Sequence, residues 1–161
     1  MMKYAYFTEE GRKIAENFRI ATIEPANRAF KSGDDLLAAQ IMTGGINGAS
    51  SQVVSGVAME RRLQHLQAMK MIALSTVEFP LLRPDQLSAL PMPIMLFSGL
   101  NTQPVHRAIF DNLAAAMPNA KVIRVANSGH GVSREQADFF NKSVLAFLGK
   151  DVANAIGTSM K

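Results

Sequence analysis

A histidine between two glycines, His130, is the residue best suited to do chemistry in this sequence. It follows residues 121–126, a run rich in β-branched side chains that predicts a strand. An imidazole changes its protonation state close to neutral pH and can therefore act as a general base. Small neighbours leave the ring exposed, so the residues alone leave two interpretations open, a functional base and an ordinary loop residue.

The other two histidines, His65 and His106, lie in segments with helical periodicity. Neither has a second ligand residue at metal-binding spacing, so we interpret both as ordinary helix residues and predict no metal site. The chain has no cysteine, which excludes a thiolate nucleophile, a disulfide framework and cysteine-based zinc or iron–sulfur sites. We predict no cofactor.

Three glycines at positions 44, 45 and 48 invite interpretation as a phosphate-binding loop. No Lys-Ser or Lys-Thr pair follows them and no predicted strand precedes them, so neither the phosphate-loop pattern nor the dinucleotide-binding pattern is met. A plain connection between two helices is the favoured interpretation.

Four segments predict the frame that would position His130. Residues 94–97 are large and apolar, with prolines before them and a glycine shortly after, as in a strand buried on both faces. Residues 104–117 carry apolar side chains at helical spacing, and they join this strand to the one at 121–126 through a right-handed crossover. Residues 135–148 predict a last helix that packs back on the sheet and ends at Gly149.

The order and spacing of these segments resemble the C-terminal portion of the α/β-hydrolase family. The matching segments are residues 93–99, 113–120, 122–130 and 139–148. The resemblance implies an α/β fold class, a partial α/β-hydrolase fold in which a mostly helical cap region precedes a strand-helix-strand-helix C-terminal half. It also implies that His130 is the general base of a nucleophile–acid–histidine triad.

The same resemblance divides the chain into three regions. Residues 1–90 correspond to a helical cap, residues 91–149 to the C-terminal segment of the hydrolase core, and residues 150–161 to a tail. In this family the cap covers the active site and shapes the substrate pocket. Helical periodicity over residues 8–31, and over a long helix from about residue 50 to residue 74, agrees with the cap interpretation.

A serine hydrolase of this family also needs a nucleophile on a tight strand-to-helix turn, Gly-x-Ser-x-Gly. The sequence contains no such pattern, because none of Ser55, Ser98 and Ser128 has glycines two residues away on both sides. The chain therefore supplies a base without its nucleophile. We expect a truncated or split hydrolase that is inactive on its own.

The acid of the triad is also missing from its expected place. Family members commonly place an aspartate three residues after the glycine that ends the next-to-last strand, and here that position is Thr102, preceded by Asn101. Either residue could hydrogen-bond an imidazole, but neither brings a negative charge. Asp111 lies about two helical turns into the following segment and is interpreted as a solvated helix residue.

These observations lead to one predicted function and one alternative. The prediction is the C-terminal part of an α/β-hydrolase that cleaves ester or related bonds, with a small apolar or ester substrate once the missing half is supplied. The alternative is a non-catalytic binding or interaction module. In both cases the strand at residues 94–97 lacks a neighbour, so we expect self-association through this exposed edge.

Composition and charge exclude several other classes of partner. The net charge of +4 comes from scattered basic residues, the densest cluster being Arg61 and Arg62, which indicates a solvated surface rather than a nucleic-acid interface. No apolar run approaches the roughly 18–20 residues that a membrane-spanning helix needs, and the N-terminus lacks the apolar centre of a signal peptide. We therefore predict a cytoplasmic protein with no nucleic-acid or membrane partner.

Overall fold

The computed structural model describes residues 2–48, 56–75 and 81–158. The N-terminal part comprises a 3₁₀ helix (Met2–Phe7), α1 (Glu9–Phe18), a π-helical turn (Arg19–Ile23), α2 (Glu24–Ser32), α3 (Asp35–Asn47), α4 (Val57–Leu63), α5 (Leu66–Leu74) and α6 (Pro84–Ser88). The C-terminal part comprises β1 (Met95–Gly99), α7 (Pro104–Ala116), β2 (Lys121–Val125), α8 (Val132–Glu135) and α9 (Ala137–Thr158).

Polar side chains and glycines begin and end several helices. The Thr8 hydroxyl accepts a hydrogen bond from the backbone N–H of Gly11 at 3.1 Å and so begins α1. Asp34 does the same for α3 through the N–H of Leu37, also at 3.1 Å. Gly33 ends α2 with a φ of 84°, a conformation that a residue without a Cβ adopts at little cost.

The predicted connection at residues 44–48 is wrong over most of its length. Gly44 and Gly45 lie inside α3, which ends at Asn47 and has Gly48 as its C-cap, where φ is 76°. A Cβ atom on Gly45 would lie 2.2 Å from the Cγ2 atom of Thr22 in the π-helical turn. Close packing of α3 against this turn therefore overrides the poor helix propensity of glycine.

The second predicted cap helix is interrupted, because Gln64 and His65 separate α4 from α5. Its expected start at about residue 50 lies outside the described residues. The predicted end of the last helix at Gly149 is wrong, since α9 continues to Thr158 and so covers most of the segment interpreted as a tail.

The predicted strand-helix-strand unit is confirmed. β1 and β2 pair in parallel, with Met95 opposite Lys121 and Gly99 opposite Val125, and α7 connects them. The side chain of Phe97 in β1 contacts Phe140 of α9, with ring centroids 4.8 Å apart. The described sheet contains these two strands alone.

The predicted fold class, α/β with a partial α/β-hydrolase fold, is wrong because the described part of the chain is mostly helical. An α/β fold packs its helices on the faces of a broad sheet, whereas here most helices pack on other helices. One cluster joins the 3₁₀ helix and α1 to α7 around Ala5, Ala15, Val105 and Ile109. A second cluster joins α2, α3 and α5 around Ala29, Phe30 and Ala38.

The first of these clusters crosses the predicted boundary at residue 90, because the N-terminal helices share their core with α7. The side-chain amide of Asn112 in α7 also donates a hydrogen bond to the carbonyl oxygen of Tyr4 at 2.7 Å. Over residues 2–48, 56–75 and 81–158, no helix has both the length and the apolar character that crossing a bilayer requires.

Candidate functional site

A cavity of about 860 Å³ opens between the helical N-terminal region and the loops that follow the two strands. Side chains of α3, of the α4–α5 region and of both loops line it, and His130 is one of them. A volume of this size accommodates a small organic ligand. Ligands of parallel sheets commonly bind at the carboxyl ends of the strands, which is where this cavity lies.

The loops after β1 and β2 are held closely together at the carboxyl ends of the strands. The backbone N–H of Asn101 donates to the carbonyl oxygen of Ser128 at 2.9 Å, and that of Leu100 donates to Val125 at 2.8 Å. A Cβ atom on Gly99 would lie 2.1 Å from the carbonyl oxygen of Ser128. Glycine at position 99 therefore allows the His130 loop to sit directly against the end of β1.

The carboxylate of Glu135 holds the His130 loop from its other side. It accepts hydrogen bonds from the backbone N–H of Gly129 at 2.6 Å, from the Ser128 hydroxyl at 3.1 Å and from the backbone N–H of Gly131 at 3.2 Å. The Gly129 hydrogen bond is the largest of the causes that lower the pKa of Glu135 below its usual value. Glu135 thus fixes the residues on both sides of His130.

Sequence reasoning missed this role of Glu135 and took the residue only as the start of the last helix. The signal was available, because the N–H groups of Gly129 and Gly131 lie beyond the strand ladder and need an acceptor. A carboxylate four residues after Gly131 is close enough along the chain to supply one.

The ring of His106, on α7, stacks against the ring of His130. Their centroids are 4.1 Å apart and their planes differ by 26°. Burial is the main cause that lowers the pKa of His106 to about 4, and the charge of His130 adds to it, while a backbone hydrogen bond with Ile46 opposes both. His106 is therefore neutral at pH 7, and its buried Nε2 atom has no hydrogen-bond partner among the described residues.

Thr102, at the position predicted for the triad acid, forms no hydrogen bond with either imidazole in the described structure. Thr102 is buried, and its backbone N–H donates to the carbonyl oxygen of Gly99 at 3.2 Å. Asp111 instead forms an ion pair with Arg124 of β2 at 2.7 Å, in agreement with its interpretation as a helix surface residue. Within the described residues, no carboxylate hydrogen-bonds to His130.

The two described serine candidates also point elsewhere. The hydroxyl of Ser98 is buried and contacts the carbonyl oxygen of Gly99 at 3.4 Å, and the hydroxyl of Ser128 donates to Glu135. Ser55 lies outside the described residues. The structure therefore brings neither Ser98 nor Ser128 to the imidazole of His130 as a nucleophile.

No protein-family model matches this sequence, and no curated protein is significantly similar to it. The resemblance to the α/β-hydrolase family stays a prediction. The described residues also contain no group of three or more histidine or acidic side chains placed to hold a metal ion.

The structure does bring both remaining histidines to the neighbourhood of the cavity. His65, between α4 and α5, lines it together with His130, and His106 lies behind the His130 ring. The interpretation of His65 as an ordinary helix residue is wrong, because His65 lies between α4 and α5. The same interpretation of His106 is incomplete, because the His106 ring also stacks against His130. Residue spacing along the chain could not have indicated that His65 lines the cavity or that His106 stacks against His130.

Proposed function

We propose that this chain contributes the general base, His130, to a hydrolase of ester or related bonds whose serine nucleophile lies outside these 161 residues. The supporting observation is an exposed imidazole on the wall of the cavity, in a loop at the carboxyl end of β2. The chain on its own is then inactive.

In this mechanism His130 takes the proton of the serine hydroxyl as the serine oxygen attacks the carbonyl carbon of the substrate. The imidazolium then gives that proton to the departing alcohol, which leaves an acyl-enzyme. In the second half, His130 removes a proton from water as the water oxygen attacks the acyl carbon, and the serine recovers its proton from the imidazolium.

The surroundings of His130 suit a base that must become transiently positive. Stacking with His106 covers one face of the ring, whereas hydrogen bonds to the nitrogens lie in the ring plane and remain possible. Because His106 is neutral at pH 7, it does not oppose the positive charge of the imidazolium by repulsion. Glu135 acts as a positioning residue, since it holds the loop on both sides of His130.

The test is reconstitution with the missing half. The chain is co-expressed with the polypeptide encoded directly upstream in the same reading frame, and hydrolysis of p-nitrophenyl butyrate is measured. We expect turnover that falls by roughly 10²–10⁴-fold in His130→Ala, while Lys142→Ala, an exposed change on α9, leaves it unaltered. Turnover that is insensitive to His130→Ala contradicts the proposal, as does an upstream polypeptide without Gly-x-Ser-x-Gly.

A second candidate function is a non-catalytic binding module. The observation in its favour is that His130 contacts the neutral ring of His106 in the described structure, while Ser128 and Glu135 are engaged with each other. This candidate predicts ligand binding by calorimetry without p-nitrophenyl ester turnover in the reconstituted protein. Turnover that depends on His130 excludes it.

A further inference from the structure

Three guanidinium groups line the cavity. Arg61 and Arg62 extend from α4. Arg134 extends from α8, the helix that directly follows the loop carrying His130. The ion pairs found among the described residues all involve other cations. None of these three arginines forms an ion pair among the described residues, although the charge of Arg134 acts on the neighbouring carboxylate of Glu135.

The carboxylate on the cavity wall, that of Glu135, is already occupied. Its two oxygens accept the three hydrogen bonds from the His130 loop. Three guanidinium groups and this one carboxylate give the described residues of the lining a formal charge of +2 with the histidines counted as neutral. The cavity therefore favours a ligand with negative charge.

Arg134 lies directly against the loop of the candidate base. A Cβ atom on Gly131 would lie 2.8 Å from the Nη2 atom of Arg134, so the absence of a side chain at position 131 leaves room for the guanidinium. An anionic group bound by Arg134 would thus lie beside His130. The charge of the cavity and the candidate base belong to one site.

A buried hydroxyl without a partner also belongs to the lining. Thr43 is 1% exposed, and its Oγ1 atom has no hydrogen-bond partner in the described structure. Leaving such a hydroxyl unpaired is unfavourable, and a ligand oxygen in the cavity would give it an acceptor. The amide side chains of Asn47, Asn101 and Gln103 offer further donors.

From these observations we infer that the cavity binds a small organic molecule carrying an oxyanion group, a carboxylate or a phosphate, on Arg61, Arg62 and Arg134. Guanidinium groups match the planar or tetrahedral oxygen arrangement of both anions through paired hydrogen bonds. This inference rests on the proposed function only for the reaction. There it changes the predicted apolar or ester substrate to an ester that carries an acidic group. Binding of the anion by the chain requires no nucleophile.

The test is calorimetric titration of the full chain with phenylacetate, phenyl phosphate and the neutral phenylacetamide. We expect at least one anion to bind tenfold or more tightly than the amide, and its affinity to fall as salt rises. The tighter anion identifies the ligand group. Equal affinity for all three probes, or binding of none, overturns the inference.

Variants locate the binding site. Arg61→Gln with Arg62→Gln, and separately Arg134→Gln, should each weaken the anion at least fivefold, whereas Arg28→Gln, an exposed arginine on α2 outside the cavity, should not. Circular dichroism checks that each variant is folded. If the double variant Arg61→Gln with Arg62→Gln does not fold, the affinity of Arg134→Gln alone tests the assignment. Unchanged affinity in a folded cavity variant contradicts the assignment.

The outcomes for binding and for catalysis are separable. Anion binding that persists in His130→Ala, without turnover by the reconstituted protein, supports the binding site and counts against the hydrolase. Turnover that is equally fast with neutral and anionic esters supports the hydrolase and counts against the anion site.

Discussion

The imidazole rings of His106 and His130 stack at a centroid distance of 4.1 Å, although 24 positions separate the two residues along the chain. His106 is half-buried on α7 beside Phe18, while His130 is exposed at the cavity. The buried ring resists protonation and the exposed ring remains available to solvent and ligand. Burial is the main cause that lowers the pKa of His106 to about 4.

The lowered pKa of His106 predicts a loss of stability in mild acid. Its pKa is about 4 in the folded chain against 6.5 ordinarily, so the unfolded state binds more protons between these values. The free energy of unfolding should therefore fall as pH decreases from about 6.5 to about 4, by roughly 2 kcal/mol once partial exposure is allowed for. Urea unfolding at several pH values measures this change.

The matched variant for this pH effect is His106→Phe, which keeps an aromatic ring but cannot be protonated. We expect a flatter pH dependence between pH 6.5 and 4, whereas His65→Gln, at an exposed position, should preserve the slope. An unchanged slope in His106→Phe would assign the pH effect to other groups.

Removing the charge of Glu135 should loosen the loop that carries His130. Glu135→Gln keeps one acceptor oxygen but loses the charge-assisted hydrogen bonds to Gly129 and Gly131, with a cost of about 1–2 kcal/mol. Hydrogen exchange of these two amides should become faster. Glu9→Gln, which removes an exposed i,i+4 ion pair with Lys13, should cost less than about 0.5 kcal/mol and serves as the control.

The lowered pKa of Glu135 also predicts a loss of stability in acid. Because the pKa of this carboxyl is lowered in the folded chain, its stabilising contribution is present above its usual pKa near 4.5 and is lost as pH falls through the lowered value. The protection factor of the Gly129 amide, which compares its exchange rate with the intrinsic rate at the same pH, should therefore fall in acid in the parent chain. An equal fall in Glu135→Gln would show that another group controls the loop.

Two glycine-to-alanine changes should have opposite effects. At Gly99 the added methyl group would meet the backbone carbonyl oxygen of Ser128 at 2.1 Å, so we expect a loss of about 2 kcal/mol or more and a displaced His130 loop. At Gly149, inside α9, nothing lies within 4 Å of the added atom, so alanine should stabilise the helix by about 0.5–1 kcal/mol. Thermal unfolding of both variants checks the contrast, and equal effects would contradict it.

Among the described residues, no strand pairs with the edge of β1 that faces away from β2, and this edge should promote self-association. The bonds from Lys121 to Ile94 and from Leu100 to Val125 place the even-numbered residues of this strand toward β2, so the N–H groups of Met95 and Phe97 face the other edge. Light scattering at micromolar concentration should detect dimers or larger species. Met95→Pro, which removes one outward N–H, should reduce them, and a stable monomer in the parent chain would contradict the prediction.

Local signals in the sequence were sufficient for the elements that frame the site. Thr8, Gly33 and Asp34 begin or end helices through contacts within a few residues, and a short window contains all the information needed. The apolar run of β1 and the β-branched run of β2 likewise predict strands from composition alone. His130 as the residue to examine also followed from its immediate neighbours.

Only the tertiary structure decided how these elements combine. The largely helical class depends on helices packing on helices, and the course of α3 depends on Thr22 lying against Gly45, neither of which is visible in a window of sequence. The stack of His106 on His130 and the arginines around the cavity arise from residues far apart along the chain. Their distances are set by packing between elements, whereas sequence periodicity reports only which face of an element is apolar.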